Sequence, residues 1–283
     1  FFELEEEFGS TVLEKLQGQV KKVGTRAGSL TTCWAEKLNL PIGLPIATGI
    51  IDAHSALLGC GVHMPNTLLM VMGTSTCHLM LDPDFKEITG ISGVVKDGII
   101  PGLYAYEAGQ SAVGDIFGAY VNGHIPTSYY RDAELSGISI FDLLEEKASN
   151  LLPGEHGMLA LDWHNGNRSL LSGSDLAGVL IGLTIHTKPE EIYRAYLEST
   201  AFGAKIIMNA YQECGMQINE VVASGGLPKR NPLMMQIYAD VLNKPIHVSQ
   251  TDQAPAIGAA ILGAVSAGIE NGGHRTIGCA IQH

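Results

Sequence analysis

The sequence predicts an α/β layered fold built on a mixed sheet. Short apolar runs punctuated by glycine recur from residue 46 onward, and helix-length stretches separate the later ones. Two early runs, "TLLMVMG" and "CHLML", lie close enough in sequence to form a hairpin, which makes the sheet mixed rather than all parallel.

Taken in order, residues 1–40 are mixed and partly helical, with "LTTCWAEKLNL" as a helix that ends before Pro41. The run "PIATGII" is a predicted buried strand that stops abruptly at Asp52, ahead of a small-residue segment containing His54. A carboxylate there is either a helix cap or a chemical group. The runs "TLLMVMG", "CHLML", "GLYAYEAG", "EVVASGG" and "PIHVS" supply further strands. Thr187 and Glu190 have capping-box spacing around Pro189, opening a helix that runs to Gly215 as its C′ residue. Asn231 and Pro232 open a second helix with Leu233, Ile237 and Val241 on one face. In a third, "APAIGAAILGAVSAG", the small residues Ala256, Ala260 and Ala264 admit close packing against a neighbour.

The composition narrows the function. With 283 residues, 46% of them hydrophobic, and a mean hydropathy of +0.16, the chain can bury one large or two smaller cores. Its 29 acidic and 17 basic residues give a net charge of −12 without a basic block, which argues against a nucleic-acid or membrane-surface footprint. Five cysteines (Cys33, Cys60, Cys77, Cys214, Cys279) lack any Cys-x-x-Cys pair, so a cytoplasmic, reducing location is expected. The longest apolar stretch, 254–269, is short of the roughly 20 residues a membrane span needs. The opening at Phe1, without methionine, reads as part of something longer.

Three loops carry candidate chemistry. "VMGTSTCHLM" places Gly73, Thr74, Ser75 and Thr76 at a hairpin tip, which either simply turns the chain or presents N–H groups and hydroxyls to phosphate. "EVVASGGLPKRNPLMMQ" ends a strand in Gly225 and Gly226, with a short loop before Asn231; this is either a glycine turn plus cap or a place where a ligand meets the backbone. Asp52 and His54, with Cys60, His63 and His78, match no zinc spacing, so no metal site is expected and His54 is read as a packed or hydrogen-bonded residue.

The segments "VGTRAGSLTTCWAEKLNLPIGLPIATGIIDAH" (23–54), "MGTSTC", "YEAGQSA" and "ASGGLPKRNPLMMQIYADVLNKPI" resemble, in order and spacing, the FGGY carbohydrate kinases, with the ribulose-phosphorylating branch the nearest in look. The resemblance runs from about residue 20 to 268. It implies a two-lobe, ATP- and Mg2+-dependent sugar kinase whose lobes share the actin-like, ribonuclease-H-like fold, with this chain as the C-terminal lobe. On that reading residues 1–44 are the end of the N-terminal lobe and connector, 45–271 the nucleotide-binding domain, and 272–283 a tail that resembles nothing. By the same resemblance Asp52 is the catalytic base, Glu107 a contact to the ketose, and Gly73 and Thr74 the second phosphate loop. Gly109 is a nucleotide contact, and Gly225, Gly226 and Asn231 form the adenosine motif.

Phosphoryl transfer needs in-line positioning and a carboxylate to orient the sugar hydroxyl, which suits these residue types. The family's first phosphate loop, Asp-x-Gly-Thr, is missing: neither Gly24-Thr25 nor Gly73-Thr74 has an Asp two positions before its glycine. The implied partners are therefore a sugar, ATP and an N-terminal lobe, with a homodimer allowed, and the chain alone is expected to be inactive. A nucleotide-binding module of the actin or chaperone type is the alternative. A metal-dependent hydrolase would need a coherent ligand set.

Overall fold

The computed structural model describes residues 6–15, 17, 18 and 20–283; most of the "FFELEEEF" opening, residues 1–5, lies outside them. Helix α1 (Glu6–Lys15), strand β1 (Arg26–Ser29), helix α2 (Thr32–Leu38) and strand β2 (Pro45–Ala47) come first, and β1 and β2 pair as a separate antiparallel ribbon. Helix α3 (Asp52–Gly59) leads into β3 (Thr67–Met72), β4 (Thr76–Asp82), β5 (Gly93–Lys96) and β6 (Tyr104–Gln110). Three helices follow, α4 (Gly114–His124), α5 (Thr127–Ser136) and α6 (Ile140–Ser149), and then a small ribbon, β7 (Leu159–Leu161) with β8 (Val179–Ile181). The long α7 (Pro189–Glu213) precedes β9 (Glu220–Ser224), α8 (Gly226–Arg230), α9 (Pro232–Leu242), β10 (Ile246–Val248), α10 (Ala254–Ala267) and α11 (Ile277–Ile281).

The main sheet has six strands in the order β10-β9-β3-β4-β6-β5; β10, β9 and β3 run parallel, and β3, β4, β6 and β5 pair antiparallel. It is the mixed sheet that the hairpin predicts. Its central strands are nearly continuous apolar runs because both faces are covered. Leu68, Met70, Met72, Met80, Tyr106 and Ala108 face a larger core with residues of α4, α6, α7 and α9. Leu69, Leu79, Leu81 and Ala105 face a smaller one with α3, α10 and α11. Among the described residues no helix is long and apolar enough to cross a membrane.

Several sequence expectations need correction. Asp52 does not end a buried strand: β2 stops at Ala47, pairs only with β1, and leaves Ile46 and Ile51 exposed, because a ribbon this short cannot bury both of its faces. Asp52 is instead the first residue of α3, where a negative charge suits the helix dipole. The capping interaction of α7 falls one residue later than Thr187 and Glu190: Lys188 N–H donates to Glu191 at 2.7 Å, while Glu190 is buried and accepts from the Tyr129 hydroxyl. Residues 226–230 are not a loop but the single-turn helix α8.

The close face of α10 is Ala254, Gly258 and Leu262 rather than the stripe through Ala256 and Ala260, which are exposed. A Cβ on Gly258 would overlap the Ser55 carbonyl of α3, and one on Gly59 the Ala254 carbonyl. The two helices therefore touch backbone to backbone, fastened by Ser55 Oγ donating to the Pro255 carbonyl at 2.8 Å. The unassigned tail joins the fold: Thr276 caps α11, and Ile277 is buried in the smaller core.

Candidate functional site

The α3 face of the sheet opens at the start of α3, where three side chains converge on Glu107. Alternation along β6 puts Glu107 on this face, opposite Leu79 of β4, and it is half-buried. Its Oε2 lies 3.0 Å from His54 Nε2, one turn into α3, and its Oε1 accepts from Arg168 Nη2 at 2.6 Å. Cys77 Sγ lies 4.0 Å from Oε1. Asp52, two residues before His54, is exposed, and its Oδ1 accepts from the Ala53 N–H at 2.8 Å. The hydrogen bond from His54, helped by the nearby Arg168 cation, holds the Glu107 carboxyl below its ordinary value; burial works in the other direction. Burial pushes the Cys77 thiol up, Glu107 and Asp52 add to that, and Arg168 opposes it. One thiol thus feels both carboxylates and the guanidinium. Sequence reasoning singled out Asp52 and Glu107, treated His54 as a hydrogen-bonded residue, and passed over Arg168.

Arg168 is delivered by an irregular loop that is tied down along its length. Asn167 and Gly173 exchange both backbone hydrogen bonds, Leu170 N–H donates to the Gly90 carbonyl at 2.8 Å, and Ser169 Oγ accepts from Gly109 N–H at 2.7 Å. Ser169 also meets Ser92 at 3.1 Å. Leu170 holds φ at +83° and Ser172 at +52°, conformations that side-chain-bearing residues adopt only when their surroundings enforce them. Gly109 is buried beneath the Arg168 stem, where a Cβ would stand 3.1 Å from the arginine Cδ and Nε.

At the neighbouring end of the sheet, the β3–β4 tip, the start of α4 and the turn after β9 meet. Gly73 and Thr74 are exposed, and nothing closer than the Ser75 carbonyl at 3.9 Å would meet a Cβ at Gly73. The tip does not offer all three hydroxyls, as the sequence suggested: Thr76 is already in β4, fully buried, with its hydroxyl unpartnered. Its carbonyls are engaged as well. Val113 N–H and Asp115 N–H donate to the Thr74 carbonyl, and Gly114 N–H to that of Gly73, so the hairpin caps α4. Gly225, at φ +104°, lies against the Met72 carbonyl, where a Cβ would overlap it. Gly226 follows under the Arg230 guanidinium. Asn231 is buried: its Oδ1 accepts from Met234 N–H at 2.7 Å, capping α9, and its Nδ2 donates to the Tyr193 hydroxyl at 2.9 Å.

Residues 68–267 match the model of the FGGY family of carbohydrate kinases, C-terminal domain. The chain belongs to the FGGY family. Among curated FGGY relatives, it is 52% identical over 263 residues to ribulokinase of Anoxybacillus flavithermus, covering 93% of this chain and 47% of that protein. It is 51% identical over 282 residues to ribulokinase 2 of Staphylococcus saprophyticus, covering 100% of this chain and 51% of that one. The chain therefore spans about half the length of the curated relatives it matches. The crystal structure of gluconate kinase from Lactobacillus acidophilus superposes with a TM-score of 0.78 at 16% identity, over 96% of this chain and 54% of that one. The fold is thus the α/β, actin-like C-terminal lobe of an FGGY kinase, as the resemblance implied.

Proposed function

We propose that this chain is the C-terminal half of an ATP-dependent kinase that phosphorylates a hydroxyl of a ketopentose of the ribulose class. The observation that carries this reading is the link from the Asp52 helix to Glu107 through His54, at one open rim, in a chain about half identical to ribulokinases. Asp52 is exposed and anchored at a helix start, so its carboxylate can meet a ligand without moving its backbone. It orients the sugar hydroxyl and accepts its proton as the O–P bond forms. Glu107, held ionised, accepts a hydrogen bond from another hydroxyl of the sugar.

ATP would supply the transferred phosphoryl group, its bond to the β-phosphate oxygen breaking as ADP leaves, and Mg2+ would offset the charge of the phosphates. The residues present fit a nucleotide: Gly73 and Thr74 are exposed, with open space above the glycine, and the Gly225-Gly226 turn lies against the same hairpin. Asn231 stands behind this end of the sheet as a support of its shape, in keeping with its burial, whereas Gly109, buried beneath the Arg168 stem, belongs to the Glu107 side of the site. Among the described residues no three His, Cys, Asp or Glu side chains gather as a metal cage. Mg2+ would then arrive with the phosphates, its usual mode in phosphoryl-transfer sites.

The test uses the protein carrying both halves. Asp52→Asn lowers kcat by about 100-fold or more while the KM values for sugar and ATP change little, the scale of a lost positioned base. A kcat within about threefold of wild type would remove Asp52 from the mechanism.

A further inference from the structure

On that reading of the site, we infer that Arg168 is a positioning residue for the sugar: the 165–173 loop is built to lay its guanidinium across Gly109 and onto Glu107, fixing the carboxylate that meets the substrate. Three independent features converge on this one contact. The first is the contact itself, a charge-assisted bond at 2.6 Å whose partner oxygen is matched by His54 on the other side, so that both Glu107 oxygens are held and the carboxylate cannot rotate. The second is the loop, which keeps two non-glycine residues at positive φ and is fastened to Gly90, Ser92 and Gly109. Strain of that kind persists only where surrounding bonds impose it. The third is Gly109, whose missing side chain leaves the channel along which the arginine stem runs.

A structural salt bridge needs none of this apparatus. Arg168 remains 42% exposed in its side chain and Glu107 17%, so the pair sits at the rim, where an ion pair adds little to stability. The groups in contact with Glu107 are His54 from α3, Cys77 from β4 and Arg168 from the loop, while Asp52 acts on the neighbouring Cys77 and Tyr211 of α7 feels the Glu107 charge from the other face of the sheet. Arg168 is the permanent cation among them. Removing it frees one carboxylate oxygen, lets Glu107 swing, and withdraws part of what keeps it ionised.

The experiment compares wild type, Arg168→Met, Arg168→Lys and Gly109→Ala in the protein carrying both halves, with L-ribulose and MgATP. Arg168→Met is expected to raise the sugar KM by about 10- to 100-fold, the scale of a hydrogen bond to a charged group, with the ATP KM within about twofold. The low-pH limb of kcat/KM for sugar moves to higher pH. Arg168→Lys, which keeps the charge but not the planar fork, recovers part of the loss. Gly109→Ala displaces the arginine stem without changing any charge and gives the same split between the two KM values, which covers the case of a poorly folding Arg168→Met. Sugar and ATP KM values that rise together, or a sugar KM within about threefold of wild type in both Arg168→Met and Gly109→Ala, overturn the inference. A wild-type protein whose ATP turnover ignores sugar overturns the functional reading instead, and the inference with it.

Discussion

A glutamate carboxylate offers about four acceptor positions, and Glu107 uses three of them inside the protein, on His54, Arg168 and, at 4.0 Å, the Cys77 thiol. With its side chain 17% exposed, the carboxylate keeps acceptor capacity for a ligand hydroxyl. Its folded-state pKa lies below the ordinary 4.5. It therefore contributes stability that is fully present above the ordinary value and is lost as pH falls through the lowered one. The gap in Tm between wild type and Arg168→Met should accordingly be widest near neutral pH and close as the solution is acidified past the ordinary glutamate range. A gap of constant size across that range would assign Arg168 to packing alone. Asp52 and Glu107 were legible because each stands inside a motif whose neighbours are also recognisable. Arg168 was not, since its reach to Glu107 depends on Gly90 and Ser92, far away in sequence, meeting Leu170 and Ser169. The signal available was a single arginine set between the turn-forming pairs Asn165-Gly166 and Ser172-Gly173 in a chain with only 17 basic residues.

Among elements, α3 and α10 matter most for the site, because α3 carries Asp52 and His54 and α10 is the surface on which it rests. Their contact leaves no room at Gly258, where any Cβ would press on the Ser55 carbonyl. Gly258→Ala should destabilise the chain by about 1–3 kcal/mol, the cost of overpacking a tight contact, while Ala260→Ser on the exposed face should stay within about 0.5 kcal/mol. Urea unfolding measures both, and equal effects would refute the packing face described here. The periodicity of "APAIGAAILGAVSAG" identified the helix but not its face, since small residues lie on every side and none differs enough in hydrophobicity to mark the buried one. The strands of the main sheet were plain for the opposite reason: "TLLMVMG" and "CHLML" are apolar on both faces, as doubly covered strands must be. "PIATGII" has the same texture, yet only pairing decides whether such a run is covered, and among the described residues its strand pairs with β1 alone.

At the scale of the molecule, the proposed function makes this chain one side of a two-sided reaction site. Glu107, Asp52 and the hairpin tip all open outward, and relatives are about twice as long. In-line transfer needs both substrates held against an opposing wall. The purified chain is therefore expected to make no ADP in response to L-ribulose, and the same chain fused behind the N-terminal half of a ribulokinase relative is expected to do so. Sugar-dependent turnover by the chain alone at a hundredth of a typical rate of about 10 s⁻¹ would show that one side suffices. The hairpin tip has a consequence for time as well as for binding. First-turn amides normally trade their protons with solvent faster than any others in a helix, because they have no partner within it. At the start of α4 the amides of the cap residue Val113 and of Gly114 and Asp115 are all closed off by the Gly73 and Thr74 carbonyls. Their deuterium uptake is thus governed by a single event, the lifting of the hairpin, and the three should exchange in step; a ligand that settles on the tip slows all three at once, making this helix end a clock for the loop that touches it.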